Sequence, residues 1–227
     1  MLKHSMRSWL TGIAIAIVPA SIAAATVVPF EESFDANASG WAKDSVGATL
    51  LDWTATGGSD GGGFVSSVFN FQNSAENSTP AILRGVPSAS GGAFVGDWIT
   101  DGVDNLSAYV KHDAGFPLTF FMRVAPFGGP GAVGVVFAPV PSDTWTKINW
   151  GIFDGNSQTI YEGTTFATAF SNVARVQIGV LTPAALAMQD VDVTFSADQV
   201  AVTPEPVSLG ILGLGTLLVG VRRRRMV

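Results

Sequence analysis

The sequence predicts an all-β fold in which two antiparallel sheets pack against each other. Residues 26–202 are rich in Val, Phe, Thr and Gly, and Gly, Pro, Asn and Asp separate their short apolar runs. This composition is typical of strands joined by turns. No stretch keeps the apolar period of a helix, and only residues 183–188 suit a single helical turn. About ten strands in one domain favour two packed sheets.

Alternation of apolar and polar residues locates the individual strands. The clearest case is residues 116–124, where Phe120 lies on the fully apolar face and Phe121 lies on the opposite face. The same alternation covers residues 106–111, 147–152, 175–180 and 190–195, and residues 133–137, apolar on both faces, suit a central strand. Residues 27–34, 49–56, 64–69 and 93–98 are further candidate strands.

Residues 1–25 have the features of a secretory signal peptide. Lys3 and Arg7 form a basic region, residues 9–18 form an apolar helix that is short for a membrane span, and residues 23–25 are three alanines suited to cleavage. We therefore expect residues 26–202 to be exported. Without the two terminal segments, six basic and seventeen acidic residues remain, a net charge of −11. Such a domain repels nucleic acid. The chain has no cysteine, which excludes disulfides and thiolate chemistry.

Residues 203–227 form a second targeting segment with three consecutive parts. A Pro-Glu-Pro triplet precedes the charge-free apolar residues 207–221, which predict a transmembrane helix about 22 Å long. A block of arginines follows and favours a cytoplasmic C-terminus. The sorting residues are Pro204, Glu205, Pro206, Arg222, Arg223, Arg224 and Arg225.

This tail resembles the PEP-CTERM sorting signal of Gram-negative bacteria. The resemblance implies that the secretion machinery exports the protein and that it is anchored transiently in the inner membrane. It also implies cleavage near the triplet by exosortase, a membrane-embedded transpeptidase-like enzyme. Bacteria with this signal commonly make exopolysaccharide, so the final location implied is the cell surface or an extracellular matrix. The alternative is an ordinary C-terminal anchor.

The exported domain resembles the galactose-binding and concanavalin-like jelly-roll modules. The resemblance lies in three short segments. They are residues 30–34 followed by Gly40 and Trp41, residues 144–147 at the start of a strand, and residues 195–200 at the end of the domain. The resemblance implies a jelly-roll sandwich, and it does not name a ligand.

Alternation also predicts a glycan-binding face. Aromatic rings stack on sugar rings, and Arg, Lys and Gln donate hydrogen bonds to hydroxyl or carboxylate groups. If their strands are neighbours, one aromatic and basic patch comprises Tyr109, Lys111, Phe121, Arg123, Arg175 and Gln177. The alternative is that a loop or a second subunit covers Phe121.

The first and last strands allow a structural calcium site. Jelly-roll modules often bind calcium between these strands, and Glu31, Glu32 and Asp198 would supply carboxylate oxygens there. The alternative is that these carboxylates are solvated. No other cofactor is implied.

We expect no catalytic residue. His112 is the only histidine of residues 26–202 and follows an apolar strand face, which is typical of a structural histidine. The sequence therefore favours an exported, non-catalytic domain that binds extracellular polysaccharide. The alternatives are a structural matrix protein without a discrete ligand and, third, a polysaccharide-active enzyme.

Overall fold

A computed structural model describes residues 25–126, 128–135 and 138–204. Residues 1–24 of the predicted signal segment (1–25) and the sorting residues from Glu205 onwards lie outside the described residues, so both stay predictions. Pro204 is described, and it ends the last strand of the domain. Among the residues described, no helix has the length and apolar character needed to cross a membrane.

The described residues form eleven strands and one short α-helix. The strands are β1 (Phe30–Glu32), β2 (Asp52–Thr54), β3 (Phe64–Asn70), β4 (Ala81–Gly85), β5 (Val103–His112), β6 (Phe120–Ala125), β7 (Ala132–Val135), β8 (Thr146–Gly151), β9 (Thr159–Tyr161), β10 (Arg175–Val180) and β11 (Asp192–Pro204). The helix is α1 (Phe166–Phe170), and a single 3₁₀ turn covers Ala89–Gly92.

The strands form two antiparallel sheets with jelly-roll topology. Sheet A has the order β2-β3-β11-β5-β8, with β1 also paired to β11, and sheet B has the order β4-β10-β6-β7-β9. Four antiparallel pairs are nested along the chain: β3 with β11, β4 with β10, β5 with β8 and β6 with β7. This nesting is the double Greek key of a jelly roll, so the predicted fold class of the domain is confirmed.

The core lies between the two sheets. Phe120 is buried as predicted, and its ring lies 6.0 Å from that of Phe195 in sheet A and 5.8 Å from that of His112. Trp150 crosses from β8 to sheet B, where its indole lies so close to Gly134 that a Cβ at this position would overlap it. Aromatic side chains of both sheets therefore fill the interior.

The sequence misplaced several elements. Residues 93–98 are not a strand: the N–H groups of Ala93 and Val95 donate to Ser90 and Gly92 in turns, and only Gly96 pairs with another segment, at Val173. Strand β4 was missed because Ile82 and Leu83 are both buried beside a register shift in β10, which removes the alternation. The three-residue edge strand β9 and helix α1 were also missed. Strand β7, predicted within residues 133–137, does pair on both sides, with β6 and with β9.

Candidate functional site

The structure divides the predicted ligand-binding residues between two opposite faces. Tyr109 and Lys111 belong to β5 of sheet A. Phe121 and Arg123 belong to β6, and Arg175 and Gln177 belong to the neighbouring strand β10 of sheet B. The prediction of a single patch is therefore wrong, because β5 and β6 are consecutive along the chain but lie in different sheets.

The outer face of sheet B carries a row of residues that crosses all five strands. The antiparallel register places Arg84 of β4 beside Gln177, Gln177 beside Arg123, Arg123 beside Val133, and Val133 beside Ile160 of β9. Polar residues thus occupy three adjacent strands, and aliphatic residues occupy the other two. Sequence reasoning found Gln177 and Arg123 but missed Arg84 and Ile160, because β4 and β9 were not recognised.

A rigid polar cluster lies in the middle of this row. Arg123 donates through Nε to Oε1 of Glu162 at 2.7 Å and through Nη2 to Oε2 at 2.6 Å, and its Nη1 donates to Oε1 of Gln177 at 2.7 Å. Glu162 also accepts a hydrogen bond from the backbone N–H of Gly131. The bidentate bond from Arg123 is the main reason that the pKa of Glu162 is lowered. This carboxylate therefore stays ionised at neutral pH.

Phe121 does not offer its ring to a ligand. Only 3% of the residue is exposed, because the chain itself encloses it. It pairs with Gly179 of β10, and a Cβ at Gly179 would lie 2.5 Å from the Phe121 ring. The missing side chain at position 179 gives the ring room on the sheet. The expectation that Phe121 stacks on a sugar is therefore wrong, because residues of the same chain enclose the ring.

An open hollow of about 390 Å³ lies beside the polar cluster on the outer side of sheet B. Most of its surface is apolar, and Glu162 is its one charged lining residue. Ile160 is its most accessible aliphatic side chain, with 58% of the residue exposed. The lining residues include Thr79, Phe121, Val133, Ile160, Glu162 and Leu181. We call this cavity the sheet B hollow.

Two further arginines lie next to the polar cluster without an acidic partner among the described residues. Nε of Arg84 donates to the carbonyl oxygen of Lys43 at 3.3 Å. Nε of Arg175 is buried and makes no hydrogen bond within the described part of the chain. Burial lowers the pKa of Arg84, and the positive charges of Arg123 and Arg175 lower it further. Arg84 therefore lies within the electrostatic influence of both other guanidinium groups.

The outer face of sheet A is organised differently. The ammonium group of Lys111 lies 4.8 Å from the ring of Trp145 and 5.3 Å from the ring of Phe64, and that of Lys147 lies 5.7 Å from the ring of Tyr109. These cation–π contacts place both ammonium groups over aromatic rings of the same sheet. Lys111 also lines a hollow of about 290 Å³ on this face, and Asp113 and Asp143 are further lining residues.

The glycine-rich loop of residues 57–63 covers part of sheet A. Asp198 of β11 fixes this loop by accepting hydrogen bonds from the N–H and Oγ of Ser59 at 2.7 and 2.8 Å. The Trp145 indole donates to the carbonyl oxygen of Gly57 at 3.0 Å. Burial of Asp198 raises its pKa in spite of these bonds.

The structure does not assemble the predicted calcium triad. Strand β1 does pair with β11 close to Asp198, but the carboxylate of Asp198 accepts bonds from Ser59 and Gln199, and Oε1 of Glu32 accepts from the N–H of Phe34. Within the described ranges, no three acidic or histidine side chains are arranged to hold a metal ion. The prediction of Glu31, Glu32 and Asp198 as one metal site is therefore wrong.

His112 has a structural role. Its side chain is buried, its Nδ1 accepts from the N–H of Ala114 at 3.3 Å, and its Nε2 lies 2.9 Å from the carbonyl oxygen of Val140. Because Nδ1 accepts, Nε2 carries the proton and donates to Val140. Both ring nitrogens are occupied, so His112 is not free to act as a general base.

Comparisons with known proteins identify similar structures but no family. No protein-family model matches the chain, and no curated protein matches it by sequence. A family 11 carbohydrate-binding module from Clostridium thermocellum, in complex with a β-1,3-1,4-mixed-linked tetrasaccharide, shares 13% identity over 79% of this chain and 98% of its own, with a TM-score of 0.46.

Two longer proteins are also similar. The CBM22-1–GH10 modules of xylanase 10B from Clostridium thermocellum, complexed with xylohexaose, share 18% identity over 78% of this chain, and an exo-β-agarase shares 14% over 79%, each with a TM-score of 0.49. The present chain spans only 28% and 26% of the length of these two chains. None of these likenesses transfers a ligand or an activity to the present protein.

Proposed function

We propose that this domain is a non-catalytic module that binds polysaccharide in the sheet B hollow. The observation that carries the proposal is the combination of an open, mainly apolar hollow of about 390 Å³ with the fixed cluster of Arg123, Glu162 and Gln177 at its side. Ligand sites commonly measure about 300–1,000 Å³ and combine an apolar lining with a few polar groups.

The two halves of this site match the two halves of a sugar ring. A pyranose has an apolar C–H face, which Ile160 and Val133 would contact, and a rim of hydroxyl groups that need hydrogen-bond partners. Glu162 accepts hydrogen bonds and Arg123 donates them, and their mutual contacts hold both in place before a ligand arrives. Little conformational entropy is then lost on binding, which favours affinity.

The same contacts argue against hydrolysis at this site. A glycosidase needs a carboxylic acid that carries a proton at working pH, and its pKa is therefore raised. Glu162 has a lowered pKa because Arg123 stabilises its ionised form. With both nitrogens of His112 occupied, we propose binding without catalysis.

A glycan array probed with the full chain in mild detergent tests the binding function. We expect binding to at least one polysaccharide class, and Ile160→Ala should weaken it about threefold to tenfold because apolar contact with the sugar is lost. Val68→Ala is the matched control, since Val68 is an exposed aliphatic residue on sheet A. Silence across the array would favour the alternative of a structural matrix protein.

We further propose that the domain acts at the cell surface or in an extracellular polysaccharide matrix after exosortase removes the tail. The proposal rests on the Pro-Glu-Pro triplet, the apolar stretch and the arginine block of the sequence. The intact mass of the protein from its native cell, with and without exosortase, tests it. We expect a shorter C-terminus only when exosortase is present, and mature extracellular protein that still ends at Val227 would contradict processing.

A further inference from the structure

All three arginines of the described residues share one face of the fold. Arg84, Arg123 and Arg175 lie on the outer side of sheet B, and we call this surface the arginine face. Lys111 and Lys147 belong to sheet A, and Lys43 pairs with Asp52 at 2.7 Å. Charge is therefore unevenly distributed, and the arginine face is positive on an otherwise acidic domain.

The arginine face has more positive charge than its own chain neutralises. Glu162 pairs with Arg123, whereas Arg84 and Arg175 form no ion pair within the described residues. The carboxylate of Asp44 acts on Arg84 only through space, because it accepts hydrogen bonds from the N–H groups of Val46, Ala48 and Thr49. Two guanidinium groups thus remain without a charged partner.

Both groups lie on the same sheet face as the proposed sugar site, although neither lines the hollow. Arg84 lies beside Gln177 in the register, and Gln177 is bonded to Arg123, which is bonded to Glu162 in the lining of the sheet B hollow. Arg175 lies two residues before Gln177 on the same strand and on the same face. Neighbouring strands lie about 4.8 Å apart, and Arg84 is two strands from Arg123. A polysaccharide of several rings that continues from the hollow across β6 and β10 would reach Arg84 and Arg175.

We infer that the arginine face selects a polysaccharide that carries anionic groups, either carboxylates or sulfates, and that Arg84 and Arg175 bind these groups. A guanidinium group offers a planar fork of N–H donors that matches both kinds of oxygen anion. An anion at this place would offset the positive charge that Arg123 and Arg175 impose on Arg84. The inference rests on the binding function proposed above.

The test compares polysaccharides that differ in charge. The full chain in mild detergent would be titrated at low salt with polygalacturonate, with the same polymer after reduction of its carboxyl groups, with dextran sulfate and with dextran. We expect binding to polygalacturonate or dextran sulfate to be at least tenfold tighter than binding to its neutral counterpart, and to weaken with added salt. The polymer that binds distinguishes a carboxylate ligand from a sulfate ligand.

Substitutions then assign the effect to the arginine face. Arg84→Gln and Arg175→Gln should each weaken anionic binding about tenfold, and Arg84→Lys should recover only part of the loss because lysine lacks the fork. Lys147→Gln removes the same charge from sheet A and should change binding less than twofold. Thermal melting of both glutamine variants identifies any that fail to fold, and the other variant then carries the test.

The possible failures are distinguishable. Equal binding of the charged and neutral polymers, insensitive to Arg84→Gln and Arg175→Gln but weakened by Ile160→Ala, would overturn the inference and leave the binding function intact. An equal loss on Lys147→Gln would indicate non-specific attraction and would also overturn the inference. Failure to bind any of the four polymers or any glycan of the array would overturn the binding function as well.

Discussion

The positively charged side chains on the outer faces of the two sheets have different surroundings. On sheet A, Lys111 and Lys147 lie over aromatic rings, and the loop of residues 57–63 covers part of the strands. On sheet B, Arg84 and Arg175 share a face with an open hollow and form no ion pair among the described residues. Sheet A thus places its two lysines over its own aromatic rings, whereas two arginines of sheet B make neither an ion pair nor a cation–π contact among the described residues.

A second contrast concerns the carboxylates of the two faces. Asp198 on the sheet A side is buried, fixes a loop and has a raised pKa, whereas Glu162 on the sheet B side pairs with Arg123 and has a lowered pKa. The first is adapted to hold the fold, and the second is adapted to remain an ionised acceptor beside a hollow. The comparison therefore assigns Asp198 a role in the stability of the fold, and it assigns Glu162 a role in the proposed binding site.

The largest expected effect lies in the core shared by both sheets. Phe120→Ala should lower the free energy of unfolding by about 3–5 kcal/mol, because it leaves a cavity between Phe195 and His112. Urea denaturation of the full chain in mild detergent measures this change, with Val68→Ala as a surface control expected within about 0.5 kcal/mol. A Phe120 effect as small as the control would contradict the assigned packing.

Phe121→Ala should have a smaller but clear effect on stability. The ring is enclosed against Gly179 on the outer side of sheet B, so its loss should lower the free energy of unfolding by about 1.5–3 kcal/mol. The adjoining hollow is already open, so we expect no large additional cavity cost. The same denaturation experiment measures this change. An unchanged free energy of unfolding would contradict the enclosure of Phe121 by its own chain.

The smallest effect concerns Glu162 and depends on pH. Because its pKa is lowered on folding, its ionised form stabilises the fold fully above the unfolded pKa of about 4.3, and this stability is lost as the pH falls through the folded pKa. Glu162→Gln should cost about 0.5–1 kcal/mol at pH 6, with the difference shrinking toward pH 3. Asp198 has a raised pKa on folding, so its contribution to the free energy of unfolding increases as the pH falls. A Glu162→Gln difference that is constant across this range would contradict the proposed ion pair.

Alternation in the sequence predicted most of the fold because most strands have one buried and one solvated face. It placed Phe120 in the core and put Arg123, Arg175 and Gln177 on a common outer face. It failed at β4, where adjacent Ile82 and Leu83 are both buried, and so it missed Arg84. Local pattern does not encode such departures from regular pairing.

The details of the candidate site depend on contacts between distant segments. The burial of Phe121 follows from the absence of a side chain at Gly179, which is its neighbour only after β6 and β10 have paired. The sheet B hollow likewise needs Ile160 of β9 and Leu181 after β10. Residue types alone predicted a polar and aromatic face, but its apolar part comes from aliphatic residues that the sequence did not single out.

Hydroxyl-radical footprinting of the full chain tests most directly whether sheet B is the binding face. Side-chain oxidation would be measured by mass spectrometry with and without the polysaccharide bound most tightly on the array. We predict that bound polysaccharide lowers the oxidation of Ile160 several-fold and leaves Trp145 and Tyr109 on sheet A unchanged. Protection of Trp145 and Tyr109 with no change at Ile160 would contradict the account and assign the ligand to the opposite face.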